Sequence, residues 1–239
     1  MKRYQKLIVL IVISLSVILI YKKENKNTKT YLVLGDSLAL GINSYGGVTY
    51  GYDKYLKDYL EQNDKINIIN NYTSKNKDIK SLKNDILENS TYVIDNNSYN
   101  IRKLLKESEI ITLSIGLNDI IYEYSITNKD ELTEYEEDRI VDYIYENFMD
   151  LLEDIRKYTH KPIYIVGYPE NNEKYKRIIG KLNKKYGNIG KGYIFIDSSK
   201  ELNNNKYFDI ENAIYPNTLG YKKISDLIIK KYQLHVINK

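Results

Sequence analysis

Residues 31–41 read YLVLGDSLALG: a four-residue apolar run, a glycine, the pair Asp36-Ser37, and a second apolar stretch closed by Gly41. An uninterrupted run such as Tyr31 to Leu34 is the pattern of a strand buried on both faces, as in parallel sheets whose two faces are covered by helices. Gly35-Asp36-Ser37 then leaves that strand in a tight turn. A serine on such a turn is held exposed with its backbone N–H free to meet an anion, the arrangement a serine nucleophile needs. Taken singly, the same residues also read as an ordinary helix start, with Ser37 as the cap and Asp36 as a turn residue.

The pattern recurs outward from this stretch. Ile66 to Ile69, Ile110 to Ile115, Ile163 to Val166 and Tyr193 to Ile196 are further short apolar runs, each followed by a turn and by sequence of helical period. Helices are predicted around Lys54–Gln62, Ile79–Leu87, Tyr99–Lys106, Lys174–Tyr186 and Thr218–Tyr232. The clearest lies within Leu132–Tyr158, where Ile140, Ile144, Phe148, Leu151 and Ile155 form an apolar stripe and an acidic run that includes Glu136, Glu137 and Asp142 reads as a solvated face. Five strands alternating with helices, with no repeat and no Pro-rich linker, predict one α/β domain with a mainly parallel sheet. In such sheets ligands bind beyond the C-terminal strand ends, so the residues that follow each strand are where chemistry is expected.

Composition narrows the chemistry. With 239 residues, 42% hydrophobic and 28% charged, the chain has room for one sizeable core. It has no cysteine and two histidines, which removes disulfides, thiolate nucleophiles and His-based zinc clusters and leaves only carboxylates for any metal chemistry; neither a metal nor another cofactor is expected. The net charge is +4, but residues 1–29 hold seven Lys/Arg and one Glu, so the remaining 210 residues carry −2. That body lacks the electrostatic footprint of a nucleic-acid binder. No glycine-rich phosphate loop is present either, which sets aside a nucleotide-binding reading.

Residues 1–6 carry Lys2, Arg3 and Lys6, and residues 7–21 (LIVLIVISLSVILIY) are free of charge before Lys22 and Lys23. This is the pattern of an export signal or signal anchor. Fifteen helical residues rise roughly 22 Å, short of the ~30 Å hydrocarbon core, which favours a cleaved signal peptide. The lack of an A-x-A site after the run favours an anchor held by its flanking lysines, and the anchor is the preferred reading. Residues 22–29 then form a solvated linker and residues 30–239 the folded domain. The expected location is the outer face of the cell membrane, or the exterior if the segment is cleaved.

After the third apolar run comes Gly116-Leu117-Asn118-Asp119, with an asparagine placed to aim its side-chain amide at the same spot as Ser37. With Gly35-Asp36-Ser37-Leu38, this block and the tail Pro216-Asn217-x-x-Gly220-Tyr221 make residues 30–232 resemble the SGNH or GDSL hydrolases. The resemblance implies a flavodoxin-like three-layer sandwich with sheet order 2-1-3-4-5. It also implies Ser37 as nucleophile, with oxyanion donors from the Ser37 N–H, the Asn118 amide and the N–H at position 76, where Asn76 replaces the family's glycine. Gly35, Asp36, Gly116 and Asp119 would be supporting residues.

The last family block, D-x-x-H-P, reads here Asn212-Ala213-Ile214-Tyr215-Pro216. Asn212 stands in the place of the orienting Asp, and Tyr215 in the place of the general-base His. A neutral amide and a phenol are poor substitutes for an Asp–His relay at neutral pH. His160 precedes the fourth strand, at the wrong edge of the sheet, and His235 is expected in a C-terminal tail. Asp209 and Glu211 are nearer Tyr215 in sequence. Two functions follow: a catalytically impaired relative, or pseudoenzyme, that keeps the pocket to bind an acyl ester or glycan-like ligand, and an active esterase with Ser37 as nucleophile and a non-standard base. The substitutions at 212 and 215 favour the first.

Overall fold

A computed structural model describes residues 28–94 and 97–237; the basic flank, the apolar segment 7–21 and most of the linker lie outside the described residues. Five parallel strands form the central sheet: β1 (Thr28–Gly35), β2 (Lys65–Thr73), β5 (Ile110–Ser114), β6 (Ile163–Val166) and β7 (Tyr193–Ile196). A separate antiparallel hairpin, β3 (Thr91–Ile94) and β4 (Asn97–Asn100), precedes β5 in the chain. The order across the large sheet is therefore β2-β1-β5-β6-β7. It differs from the expected numbering because the hairpin adds two strands that lie outside this sheet. The alternating Tyr/Val/Ser/Asn residues of that hairpin are largely exposed and carry no buried-strand signal.

Tyr31, Leu32, Val33 and Leu34 of β1 are fully buried, as their unbroken apolar run requires when helices cover both faces. On one face α2 (Tyr52–Glu61) packs against the last helix, α8 (Thr218–Ile237); on the other, α3 (Ile79–Leu87) and α7 (Lys176–Gly187) pack against α6 (Glu134–Arg156). The last helix reaches Ile237, so His235 sits inside it rather than in a tail.

Helix α6 begins at a capping box, in which the Thr133 hydroxyl accepts from the Glu136 N–H and the Glu136 carboxylate accepts from the Thr133 N–H. Its stripe of Ile144, Phe148, Leu151 and Ile155 is buried. Its acidic side is not simply solvated: Glu137 is 3% exposed and takes a 2.6 Å hydrogen bond from the Arg177 Nε, Asp138 meets the Lys181 Nζ at 2.7 Å, and Asp142 meets Lys185 at 2.9 Å. The basic helix α7 lies along that face, and charge pairing across the seam accounts for both patterns.

Two helices escaped the periodicity reading. The single turn α1 (Ser37–Leu40) is too short to show a period, and α5 (Leu117–Ile126) buries only Leu117, Ile120 and Tyr124. Helix α4 (Ile101–Glu107) starts later than expected because Tyr99 and Asn100 belong to β4, Asn100 capping the helix through the Lys103 N–H.

Candidate active site

The chain leaves β1 through Gly35, whose φ of +134° suits glycine alone and whose absent side chain is demanded by contact. A Cβ there would lie 1.8 Å from the Ser114 carbonyl, the group that receives the Asp36 N–H at 2.9 Å. Asp36 caps α1 through the Leu38 N–H at 3.0 Å, and Gly41 ends the turn in the left-handed region. Ser37 is thereby fixed at the first position of α1, where its N–H has no intrahelical acceptor; contrary to the sequence expectation it is buried, 3% exposed, rather than held exposed, and Asp36 rather than Ser37 is the cap.

The chain leaves β5 in the same manner. Gly116 has φ +122°, and a Cβ there would sit 2.6 Å from the Tyr186 hydroxyl. Asn118 and Asp119 follow in the first turn of α5. Asp36 ties the strand ends together: its carboxylate accepts from the Leu117 N–H at 3.3 Å and from the Tyr168 hydroxyl, just beyond β6, at 2.5 Å. Full burial pushes the Asp36 carboxyl up to about 7, against the pull of these three donors. Asp119 accepts from the Ile79 N–H at 3.2 Å, and burial pushes its carboxyl up to about 7 as well.

Between the blocks, residues 74–77 form a turn closed by the Lys77 N–H on the Ser74 carbonyl. The carbonyl of Lys75 points inward. It accepts from the Ser37 hydroxyl at 2.8 Å and from the Asn118 amide at 2.9 Å, while the other hydrogen of that amide serves the Lys77 carbonyl at 2.7 Å. Because a trans peptide holds its C=O and N–H on opposite sides, the Asn76 N–H points away from Ser37. Asn76 itself is exposed.

The tail closes the remaining side. Tyr215 is half-buried with its hydroxyl near that of Ser37, and burial pushes the phenol up to about 12. The loop is held by Ser44, which donates to the Tyr215 carbonyl at 3.0 Å, and by Asn171 and Asn172, which donate to the carbonyls of Ala213 and Asn212. Asn212 is exposed and adopts φ +58°, a conformation asparagine tolerates better than most residues. Tyr221 anchors the following helix by donating to the Ile42 carbonyl at 2.6 Å.

Ser37, Asn118 and Tyr215 thus converge on the Lys75 carbonyl and its surroundings, with Gly35, Asp36, Gly116 and Asp119 fixing the turns beneath them. His160 is exposed ahead of β6, at the opposite end of the strands, and His235 lies far along α8. Asp209 and Glu211 are exposed. The Lys75 carbonyl is a participant that residue identities alone do not reveal.

A GDSL-like lipase/acylhydrolase family model matches residues 31–228. The chain belongs to that family. Solved GDSL-type and related folds resemble it: a lipase from a goat rumen metagenome (TM-score 0.70, 19% identity, 85% of this chain and 97% of that one), a lipase/acylhydrolase from Enterococcus faecalis (0.58, 14%, 85% and 95%) and a family 3 carbohydrate esterase from Clostridium thermocellum (0.53, 17%, 85% and 94%). At these identities they establish the fold. No curated protein sequence matches the chain. As a GDSL-like protein it carries Gly35-Asp36-Ser37 after β1, Gly116-Leu117-Asn118 after β5, and Asn212 and Tyr215 in the tail.

Proposed function

We propose that this GDSL-like protein binds an acyl ester or an acylated glycan in the Ser37 pocket and turns it over slowly or not at all. One observation carries the reading: the Ser37 hydroxyl gives its hydrogen to a backbone carbonyl, and the group beside it is a protonated phenol rather than an imidazole. A carbonyl has no basicity with which to take the serine proton, and a phenol of pKa about 12 holds its own proton at neutral pH. The retained glycine turns and the Asn118 amide support continued use of the pocket, and acyl and carbohydrate ester hydrolases among its structural relatives supply the ligand classes.

The test is a pair of measurements on the full-length protein near pH 7. A panel of short-chain acyl esters and acetylated sugars should give saturable binding by calorimetry or ligand-observed NMR, and turnover that Ser37→Ala barely lowers. Brisk hydrolysis abolished by Ser37→Ala would instead establish the second reading, an active esterase with a non-standard base.

The same reading places the domain outside the cytoplasmic membrane on residues 7–21. The chain enters β1 at the sheet end opposite Ser37. Protease added to intact cells should remove the domain; full protection would contradict export.

A further inference from the structure

We infer that the Lys75–Asn76 peptide is a two-position element that plugs the pocket in the conformation described, and that Asn76 is the positioning residue that sets its balance. This rests on reading the Ser37 pocket as an ester site. The turn is closed by the Lys77 N–H on the Ser74 carbonyl, with Lys75 and Asn76 in its two central positions. Among the described residues the non-glycines of positive φ are Asn89, Asn128 and Asn212, so Lys75 and Asn76 both have negative φ. That combination fits the type I family of turns, and type II differs from it by a half-turn of the central peptide, which requires positive φ at the second central residue. The orientation of one peptide group therefore follows the sign of one angle at Asn76.

The chemical consequence is an exchange of acceptor for donor. As described, the Lys75 carbonyl takes the Ser37 hydroxyl and one Asn118 hydrogen, and the Lys77 carbonyl takes the other, so both hydrogens of that amide are spent within the protein. A ligand oxygen that accepts hydrogen bonds would meet the lone pairs of a carbonyl. After the half-turn the carbonyl leaves, the Ser37 hydroxyl and one Asn118 hydrogen become free, and the Asn76 N–H faces the space the carbonyl held. Asparagine is the non-glycine residue best able to make that change, because it enters the left-handed region with less penalty than other side chains. Glycine would favour the open position and a β-branched residue would forbid it.

Two substitutions in the full-length protein test this, Asn76→Gly and Asn76→Val, with a p-nitrophenyl alkylphosphonate as probe. Ser37 Oγ displaces p-nitrophenolate from phosphorus and its proton passes to the buffer, so released nitrophenolate counts serine attack assisted by the donors around it. Asn76→Gly should label at least tenfold faster than the native protein, Asn76→Val no faster than native, and Ser37→Ala not at all. Equal rates in the Gly and native proteins, or equal acceleration by Gly and Val, would overturn the inference. Crystal structures of the native and Asn76→Gly proteins read the turn whether or not any labelling occurs. A withdrawn Lys75 carbonyl in the glycine variant supports the two-position element, and with no labelling in any variant it would count against the ester pocket alone. A carbonyl still seated on Ser37 in that variant would overturn the inference.

Discussion

The hydroxyl of Ser37 donates to the backbone carbonyl of Lys75 at 2.8 Å. The phenol of Tyr215 lies beside it, and Asp36, Gly35 and Gly116 hold the turns beneath.

Tyr215 should titrate late. Its phenol moves from an ordinary value near 10.0 up to about 12, chiefly through burial. A difference ultraviolet titration of the native protein against Tyr215→Phe should show phenolate absorbance appearing near pH 12. The folded state binds this proton more tightly than the unfolded chain, so the associated stability is intact below about pH 10 and is lost as pH rises toward 12. A phenolate signal below pH 9 would make Tyr215 available as a base for Ser37 and favour the active-esterase reading.

The two motif carboxyls should make stability fall with rising pH. Asp36 and Asp119 are both pushed from 3.8 up to about 7 by burial. Each folded-state proton is held more tightly than in the unfolded chain, so their contribution is full below about pH 4 and is lost as pH rises through 7. Urea midpoints at pH 5 and pH 8, compared between native protein and Asp119→Asn, isolate one of them. The variant should gain on the native protein at the higher pH, and a difference that does not change with pH would refute the shift.

Tyr168→Phe should destabilise the fold by about 1–3 kcal/mol, because it strips a 2.5 Å donor from buried Asp36 and removes an acceptor of the Leu117 N–H. Urea unfolding measures it, and a change within ~0.5 kcal/mol would show that water or a neighbour replaces the hydroxyl.

Gly35→Ala should cost roughly 3 kcal/mol or more, since the added methyl has both an unfavourable φ and a backbone carbonyl 1.8 Å away. Soluble expression and a near-native melting temperature in that variant would mean that β1 and β5 can separate at their ends.

The parts of the fold legible in the sequence were those written as periodicity. The apolar runs at Tyr31, Ile110 and Ile163 mark central strands buried on both faces, and the glycines at 35 and 116 mark the turns where the left-handed backbone is required. The hairpin of Thr91–Ile94 with Asn97–Asn100 was not legible, because an exposed pair with polar residues on both faces has no burial pattern to display. Glu137 was misleading for the opposite reason: a charge in an acidic run reads as solvated until Arg177 and Lys181 arrive from another helix. In the site, residue types pointed to Ser37, Asn118 and Tyr215, but the direction of the Lys75 carbonyl is a backbone angle, and no side chain spells it.

The most direct measurement of the central claim, that the pocket lacks a base rather than a nucleophile, is ester hydrolysis by the full-length protein before and after the paired substitution Asn212→Asp and Tyr215→His, each with a Ser37→Ala control. General acid–base assistance is typically worth ~10²–10⁴-fold, so the paired variant should hydrolyse a short-chain acyl ester several hundredfold faster than the native protein, and Ser37→Ala should erase the gain. Rapid hydrolysis by the unmodified protein, equally erased by Ser37→Ala, would contradict the claim and show that a base other than histidine already serves Ser37.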